Sequence, residues 1–142
     1  MEPAFWDSSS LVLLCVKQQA SPTAHALSKR YSLVVWWAAP VEIHSSISRH
    51  RRLGNLTSNE AVGAQVRLGE LSSRWREISP SQPLRDRAEQ LLDRFPLRAA
   101  DALQLAAALA WTSGHPRNRP FISGDAQLLE AAEQLGFLAL KT

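Results

Sequence analysis

The sequence predicts an α/β fold in which a parallel sheet is covered by helices, and three observations lead to this prediction. Short apolar runs alternate with longer segments whose apolar residues have helical spacing. Runs that are apolar throughout, such as residues 33–37, are typical of strands buried on both faces of a parallel sheet. A length of 142 residues with 45% hydrophobic content suits a single domain with a substantial core.

The predicted strands are short segments between the helical segments. Four of them are apolar runs, whereas the segment at residues 76–79 is more polar and is followed by Pro80. In chain order the predicted strands cover residues 4–6, 33–37, 76–79, 120–123 and 137–140.

Helix boundaries are indicated by residues that cap helix ends. Ser21 followed by Pro22 is typical of a helix start, because serine caps the first turn and proline fits the first helical position. Thr57 and Glu60 have the spacing of a capping box, and Gly54 indicates the end of the preceding helix. The predicted helices cover residues 9–19, 22–31, 39–52, 57–75, 84–95, 97–112 and 126–135.

Composition limits the location and the partners of the chain. No run of about 20 apolar residues is present, which argues against a membrane span, and the short apolar run at residues 11–16 lacks the basic flank of a secretory signal. The single cysteine, Cys15, lies in that run, so we expect a buried structural thiol and a reducing, cytoplasmic location. The net charge of +3 is compatible with a polyanionic substrate and equally with ordinary solubility.

Asp101 is the acidic residue that is hardest to explain structurally. It lies in residues 98–111, a segment that is apolar on nearly every helical face and is therefore predicted to be a buried helix. A carboxylate in such a helix costs several kcal/mol unless it is paired or binds a metal. Arg98 is a possible pairing partner, and Gln104 shares the same helical face. We favour a functional role for Asp101.

Asp7 and Asp125 each follow a predicted strand directly or within a short turn. In open α/β sheets the carboxyl ends of the strands are where ligands bind, so the two carboxylates are candidate ligands in one pocket. The alternative is that each caps the helix that follows. Ser8 and Ser9 have the same two interpretations, as helix caps or as contacts to a phosphate or a metal-bound water.

Glu42 lies near the start of the predicted helix 39–52 and shares a polar face with Arg49. The alternative is a first-turn carboxylate that complements the helix dipole. Arg49 is a candidate for contacting nucleic-acid phosphates, whereas Arg51 and Arg52 are interpreted as cations that stabilise the helix C-terminus.

Four carboxylates in one pocket would repel one another unless a divalent cation stabilised them. Hard oxygen ligands without a thiolate cluster favour Mg²⁺ or Mn²⁺ over zinc. One such ion lowers the pKa of a bound water, and a second stabilises a leaving oxygen where two ions bind. The four histidines show no spacing of a metal or catalytic cluster, so no histidine base is predicted. They are His25, His44, His50 and His115.

The order of the acidic motifs resembles the PIN-domain family, and it is most similar to the small bacterial VapC-type toxins of toxin–antitoxin pairs. The resemblance covers essentially the whole chain, residues 1–142, and the third motif is its most specific part. Ser8 and Ser123 stand at positions where threonine is common in that family, which is a small departure from its pattern. The motifs are Asp7-Ser-Ser, Val41-Glu42 with Arg49, Ala100-Asp101-Ala-Leu-Gln-Leu-Ala, and Ile122-Ser-Gly-Asp125-Ala-Gln-Leu.

This resemblance implies a single PIN-like domain, an α/β/α sandwich with a central parallel sheet. It implies an endoribonuclease that depends on Mg²⁺ or Mn²⁺ and acts as the toxin of a type II toxin–antitoxin system. Asp7, Glu42 and Asp101 would be the primary metal ligands, while Asp125 would bind a second ion or orient water. The candidate substrate contacts are Ser9 and Arg49.

The resemblance also implies a cognate antitoxin that places a basic residue in the acidic pocket, and a homodimer. Exposed tryptophans are possible contributors to such surfaces, although core positions are expected for most of them; those considered are Trp36, Trp37, Trp75 and Trp111. Two alternatives stay open: a non-catalytic PIN-like binding module, and another Mg²⁺-dependent phosphoesterase. The second is disfavoured because no glycine-rich phosphate loop is present.

Overall fold

The computed structural model describes residues 1–142 and contains five strands and seven α-helices. A short 3-10 helix follows the first α-helix. The strands are β1 (Glu2–Trp6), β2 (Tyr31–Trp36), β3 (Arg76–Ile78), β4 (Pro120–Ser123) and β5 (Leu138–Lys141). The helices are α1 (Ser8–Cys15), α2 (Pro22–Arg30), α3 (Ala39–Arg52), α4 (Ser58–Ser72), α5 (Gln82–Arg94), α6 (Ala99–Trp111) and α7 (Ala126–Leu135).

All five strands are parallel and lie in the order β3-β2-β1-β4-β5. The chain winds outward from β1 through β2 to β3, then crosses to the other side of β1 and continues through β4 to β5. The direction of winding therefore reverses between the neighbouring strands β1 and β4. The crevice outside the carboxyl ends of two such strands is the usual ligand site of open α/β sheets.

The sheet separates two hydrophobic cores, because successive strand residues point to opposite faces. Ala4 and Trp6 of β1 belong to the core that is covered by α1, α2, α3 and α4, whereas Phe5 belongs to the core that is covered by α5, α6 and α7. All three side chains are fully buried. This arrangement confirms the predicted α/β/α sandwich with a central parallel sheet.

Several predicted boundaries are confirmed to the residue, namely those of α3, β4 and α7. The predicted helix starts are also confirmed, since the backbone N–H of Ala24 donates to the Ser21 hydroxyl at 3.1 Å and Thr57 and Glu60 form a reciprocal capping box. The helix predicted at residues 9–19 was too long, because Val16 has extended backbone angles that end α1. The helix predicted at residues 57–75 was also too long, since α4 ends at Ser72.

Cys15 is fully buried, and that burial raises the pKa of its thiol to about 11. The thiol is therefore protonated at neutral pH and the expectation of a structural cysteine is confirmed. No helix in the structure combines the length and the apolar character that a membrane span requires.

Candidate active site

Asp7 lies directly after β1, and its carboxylate does not cap the helix that follows. Its backbone N–H donates to the carbonyl of Ile122 in β4, which ties the residue to the point where the sheet reverses its winding. The backbone occupies the N-cap position of α1, yet the side chain makes no capping hydrogen bond. The side chain is only 4% exposed, and burial is the main reason that its pKa is raised above the ordinary value. The capping alternative for this residue was wrong.

Two serine hydroxyls hold the Asp7 carboxylate in one orientation. Ser9 donates to its Oδ2 at 2.6 Å, and Ser123 donates to the same oxygen at 2.8 Å. The Ser9 hydroxyl also accepts a hydrogen bond from the backbone N–H of Gly124 at 3.1 Å. The ends of β1 and β4 are therefore joined by hydroxyl groups that both point at one acidic oxygen.

Glu42 lies half-buried in the first turn of α3. Burial and the negative charge of Asp7 raise its pKa to about 7. Of the smaller effects, a hydrogen bond from Gln104 lowers the pKa and the charge of Asp101 raises it. The Gln104 side-chain amide donates to Glu42 Oε1 at 3.1 Å and to the Ser8 hydroxyl at 2.8 Å. One fully buried amide of α6 thus connects α1 and α3.

Asp101 lies in the first turn of α6 and is half-buried, so the helix that carries it is apolar but its carboxylate faces the site. Burial and the charge of Asp125 raise its pKa, and Arg98 opposes this shift through its backbone and its charge. The charge of Arg98, the expected pairing partner, therefore compensates the Asp101 carboxylate only in part. The net direction of the pKa shift remains upward.

Asp125 caps α7, as the structural alternative for this residue predicted. Its Oδ1 accepts hydrogen bonds from the backbone N–H groups of Gln127 and Leu128 at 2.9 and 3.2 Å. The Ser123 hydroxyl, which donates to Asp7, accepts from the backbone N–H of Asp125 at 2.9 Å. Capping does not remove the residue from the site, because its charge still raises the pKa of Asp101.

A cavity of about 350 Å³ opens beside Glu42 and contains the predicted substrate contacts Ser9 and Arg49. His50 lines the same cavity and forms side-chain hydrogen bonds with Gln19 at 2.9 Å and with Asn55 at 3.2 Å. The other three histidines, His25, His44 and His115, are exposed. The full lining of the cavity is Ser8, Ser9, Val12, Gln19, Glu42, Ser45, Ser46, Arg49 and His50.

No protein-family model matches the sequence, and no curated protein matches it. Solved structures do match. A toxin–antitoxin complex from Klebsiella pneumoniae is 16% identical with a TM-score of 0.62, and the match covers 87% of this chain and 88% of that one. VapBC2 from Rickettsia felis, solved bound to a DNA fragment from their promoter, is 12% identical with a TM-score of 0.68, and the match covers 97% of both chains. This chain has the PIN fold of VapC proteins.

The PIN fold brings all four predicted acids to one edge of the sheet, where they influence one another in pairs. Asp101 raises the pKa of Asp7, both of these raise the pKa of Glu42, and Asp125 raises the pKa of Asp101. No cation is among the groups that shift the pKa of Asp7 or Glu42. The charges of Asp7 and Glu42 are therefore favoured by hydrogen bonds, whereas Asp101 has the charge of Arg98 nearby.

The chemistry of these residues fits a divalent cation. The donors are carboxylate and hydroxyl oxygens, which Mg²⁺ and Mn²⁺ prefer. The buried Oε1 of Gln104, next to Glu42, has no hydrogen-bond partner, which suits a water or another donor in the site. No three His, Cys, Asp or Glu side chains are placed closely enough to hold a metal ion, so a shared cation requires Glu42 or Asp101 to rotate toward Asp7, which the two serine hydroxyls hold.

Some contacts and side chains of this site were not predicted from the sequence. Ser123 was assigned to the end of a predicted strand and to the fourth motif, but its hydrogen bond to the Asp7 carboxylate was not predicted. Gln19 and His50 had no local signal, because only the packing of α1 against α3 and the hydrogen bond between these two side chains bring them into the cavity. Gln104 was predicted to share a face with Asp101, but its bridge to Ser8 depends on long-range packing.

Proposed function

We propose that this chain is a metal-dependent endoribonuclease and the toxin of a type II toxin–antitoxin pair. The observation that carries the proposal is the cluster of Asp7, Glu42 and Asp101 at the point where the sheet reverses. These three carboxylates have raised pKa values, and they lie where an α/β sheet binds its ligands. A site of this kind suits a phosphodiester, because a divalent cation between them can bind both the carboxylates and the negatively charged phosphate.

Mg²⁺ or Mn²⁺, when bound, supplies positive charge to the phosphoryl oxygens and lowers the pKa of an attacking water. In this proposal Asp7, Glu42 and Asp101 are the primary ligands, and Asp125 binds a second ion or orients water. The hydroxyls of Ser9 and Ser123 hold Asp7 in place before any ligand arrives. Such preorganisation lowers the cost of assembling the site at the moment of reaction.

The cavity beside Glu42 is the proposed place for the RNA backbone. Arg49 brings a positive charge to its wall, and Ser9 brings a hydroxyl next to Asp7. A guanidinium can bind a phosphate through two parallel hydrogen bonds, which positions the backbone without reading its sequence. The arrangement therefore supports substrate contacts at Ser9 and Arg49.

The proposed partners follow from the same pocket and from the solved structures with this fold. Both of those structures are of toxin–antitoxin proteins, and one of them is bound to DNA. For this chain we propose a protein antitoxin that neutralises the acidic pocket with a basic residue, and a homodimer of the toxin. We place this activity in the cytoplasm, where RNA and an antitoxin are both present.

Cleavage of a panel of structured RNAs by antitoxin-free protein tests the proposed function. We expect cutting with Mg²⁺ or Mn²⁺, none with EDTA, and none by an Asp101→Asn variant that keeps the wild-type circular dichroism spectrum. Asp101 is suited to this test because it is only half-buried, so its replacement disturbs packing little.

Folded wild-type protein that binds Mn²⁺ but cuts no RNA, although it binds RNA, would favour the non-catalytic binding module. Cleavage of a small phosphoester with no effect on RNA would favour a different phosphoesterase. Failure to bind any divalent cation would contradict the shared metal site.

Arg49→Ala is expected to raise the KM for RNA about 5- to 20-fold with little change in kcat, because one phosphate contact is lost in binding. The slope of log affinity against log salt concentration should fall by about 1. Arg52→Ala is the matched control, since Arg52 ends the same helix but does not line the cavity. Equal effects of the two variants would show that the charge of the helix end matters and not the contact of Arg49.

A further inference from the structure

Trp37 is exposed at the edge of the sheet that carries the acids. Of the five tryptophans it alone is exposed, at 54%, whereas Trp36 beside it is 6% exposed. The two rings meet edge to face, with centroids 6.4 Å apart and planes inclined by 66°. Trp36 thus supports Trp37 from the core and leaves much of the Trp37 ring open to solvent.

The two tryptophans form one wall of a cavity of about 420 Å³. The cavity lies between the connection from β2 to α3 and the connection from β3 to α5, at the carboxyl ends of both strands. The backbone N–H of Trp37 donates to the carbonyl of Ile78 at 3.1 Å, which extends the pairing of β2 and β3 by one residue. The remaining lining residues are Pro80, Ser81, Gln82, Leu84, Arg85 and Leu103.

The aromatic cavity defined by these residues lies at the same edge of the sheet as the acidic residues, because both are at the carboxyl ends of the strands. Trp37 is followed by α3, whose first turn carries Glu42, and Leu103 follows Asp101 on α6. A chain of nucleotides that runs along this edge of the sheet would therefore meet both the carboxylates and the cavity. The cavity beside Arg49 lies on a different set of elements, and the two share no lining residue.

The lining has the chemistry that a nucleobase requires. The walls are largely apolar and include an open indole face, which suits the flat surface of any base. Arg85 provides guanidinium donors at the rim, and its Nη1 also donates to Gln82 Oε1 at 3.5 Å, while the Gln82 amide nitrogen donates to Asp86 at 2.8 Å. The positive charge of Arg85 complements the phosphate that accompanies a base. A volume of about 420 Å³ is within the usual range of sites for small ligands.

We propose that the aromatic cavity binds one unpaired nucleobase of the RNA by stacking it on Trp37, next to the bond that is cut. This inference rests on the proposed ribonuclease function and adds one stacking contact for a base beside the bond that is cut. Stacking tolerates every base, so the cavity contributes affinity and positioning more than sequence selectivity.

The test measures RNA binding separately from cleavage. In an Asp101→Asn background with Mg²⁺, a short single-stranded RNA carrying 2-aminopurine should bind with quenched fluorescence, because the base stacks. Trp37→Ala should weaken binding about 5- to 150-fold and restore the fluorescence, as expected for the loss of one stacked base. Trp37→Phe should keep most of the affinity because it retains an aromatic face.

Val66→Ala is the matched control, since Val66 is an apolar side chain on α4 that is 56% exposed and lies outside the aromatic cavity. Unchanged RNA binding in folded Trp37→Ala would overturn the inference. So would a change of that variant from dimer to monomer in sedimentation, which would assign Trp37 to an interface between copies of the chain. Absence of RNA binding by the Asp101→Asn protein itself would overturn it as well.

These outcomes are separate from those of the proposed function. Metal-dependent cleavage that survives Trp37→Ala with unchanged KM leaves the nuclease in place and removes the stacking site. Trp37-dependent RNA binding by a wild-type protein that cuts nothing supports the stacking site and removes the nuclease.

Discussion

Asp7→Asn is expected to reduce RNA cleavage by about 10³-fold or more and, at the same time, to stabilise the fold. Activity falls because an asparagine side chain carries no negative charge to attract a divalent cation at the centre of the site. Stability rises because the wild-type carboxylate is only 4% exposed and its burial disfavours the charged form. The same charge therefore has opposite effects on function and on folding.

The expected gain in stability is about 1 kcal/mol, within the usual range for the replacement of a functional residue that costs stability. Asparagine keeps one side-chain oxygen as an acceptor for the hydroxyls of Ser9 and Ser123, so the two hydrogen bonds that reach Asp7 Oδ2 have a possible replacement. Their retention limits the cost of the change.

Urea denaturation in EDTA at pH 8 measures this effect without a contribution from bound metal. Asp93→Asn is the control, since Asp93 is an exposed carboxylate on α5, and its replacement should change neither stability nor cleavage appreciably. An Asp7→Asn protein that is less stable than wild type would show that the carboxylate serves the fold and is not a functional group kept at a cost to stability.

In EDTA the protein is expected to become more stable as the pH falls from about 8 to about 5, the reverse of ordinary acid denaturation. Glu42 has a pKa of about 7 in the folded protein and an ordinary value of 4.5. Between these two values the folded state binds more protons than the unfolded state. The stabilising contribution of Glu42 is therefore fully present below its ordinary pKa of 4.5 and is lost as the pH rises through about 7.

Glu42 contributes on the order of 2 kcal/mol to this change, a value already reduced for its partial exposure to solvent. Asp7 and Asp101 act in the same direction, because both of their pKa values are raised. Glu60 acts in the opposite direction, since its hydrogen bonds with Thr57 lower its pKa, but its effect lies at or below pH 4.5.

Mg²⁺ is expected to remove this pH dependence, because a cation binds the deprotonated carboxylates and stabilises the folded state that holds them. Thermal unfolding followed by circular dichroism between pH 5 and 8, with EDTA or with Mg²⁺, checks the expectation. The increase in Tm on adding Mg²⁺ should be larger at pH 8 than at pH 5. Glu42→Gln should flatten the profile near pH 7, and a wild-type protein in EDTA that gains stability with rising pH would contradict the assignment.

Local sequence determined most of the secondary structure of this protein. The capping box at Thr57 and Glu60 and the serine cap at Ser21 are interactions between residues three positions apart, so they are visible in the chain itself. The apolar runs of β1, β2 and β4 predicted buried parallel strands because burial on both faces removes any alternation. The acidic motifs also had a local signal, since they follow strands or interrupt an apolar helix.

Only the tertiary structure decided which alternative held at each acidic residue. Asp7 and Asp125 occupy the same local position, after a strand and before a helix, yet only Asp125 caps its helix. Two hydroxyls engage the Asp7 carboxylate instead, one from the neighbouring Ser9 and one from Ser123, which is 116 residues away. Sequence spacing carries no information about such a contact, because the crossing of the chain from β3 to β4 brings the two residues together.

The cavities were decided in the same way. Trp36 and Trp37 are adjacent and equally aromatic in the sequence, but one faces the core and the other faces solvent because β2 ends between them. Gln104 became a bridge between Ser8 and Glu42 because α1, α3 and α6 begin at one edge of the sheet. Local chemistry determined which residues are able to act, and the long-range packing of the parallel sheet determined which of them meet.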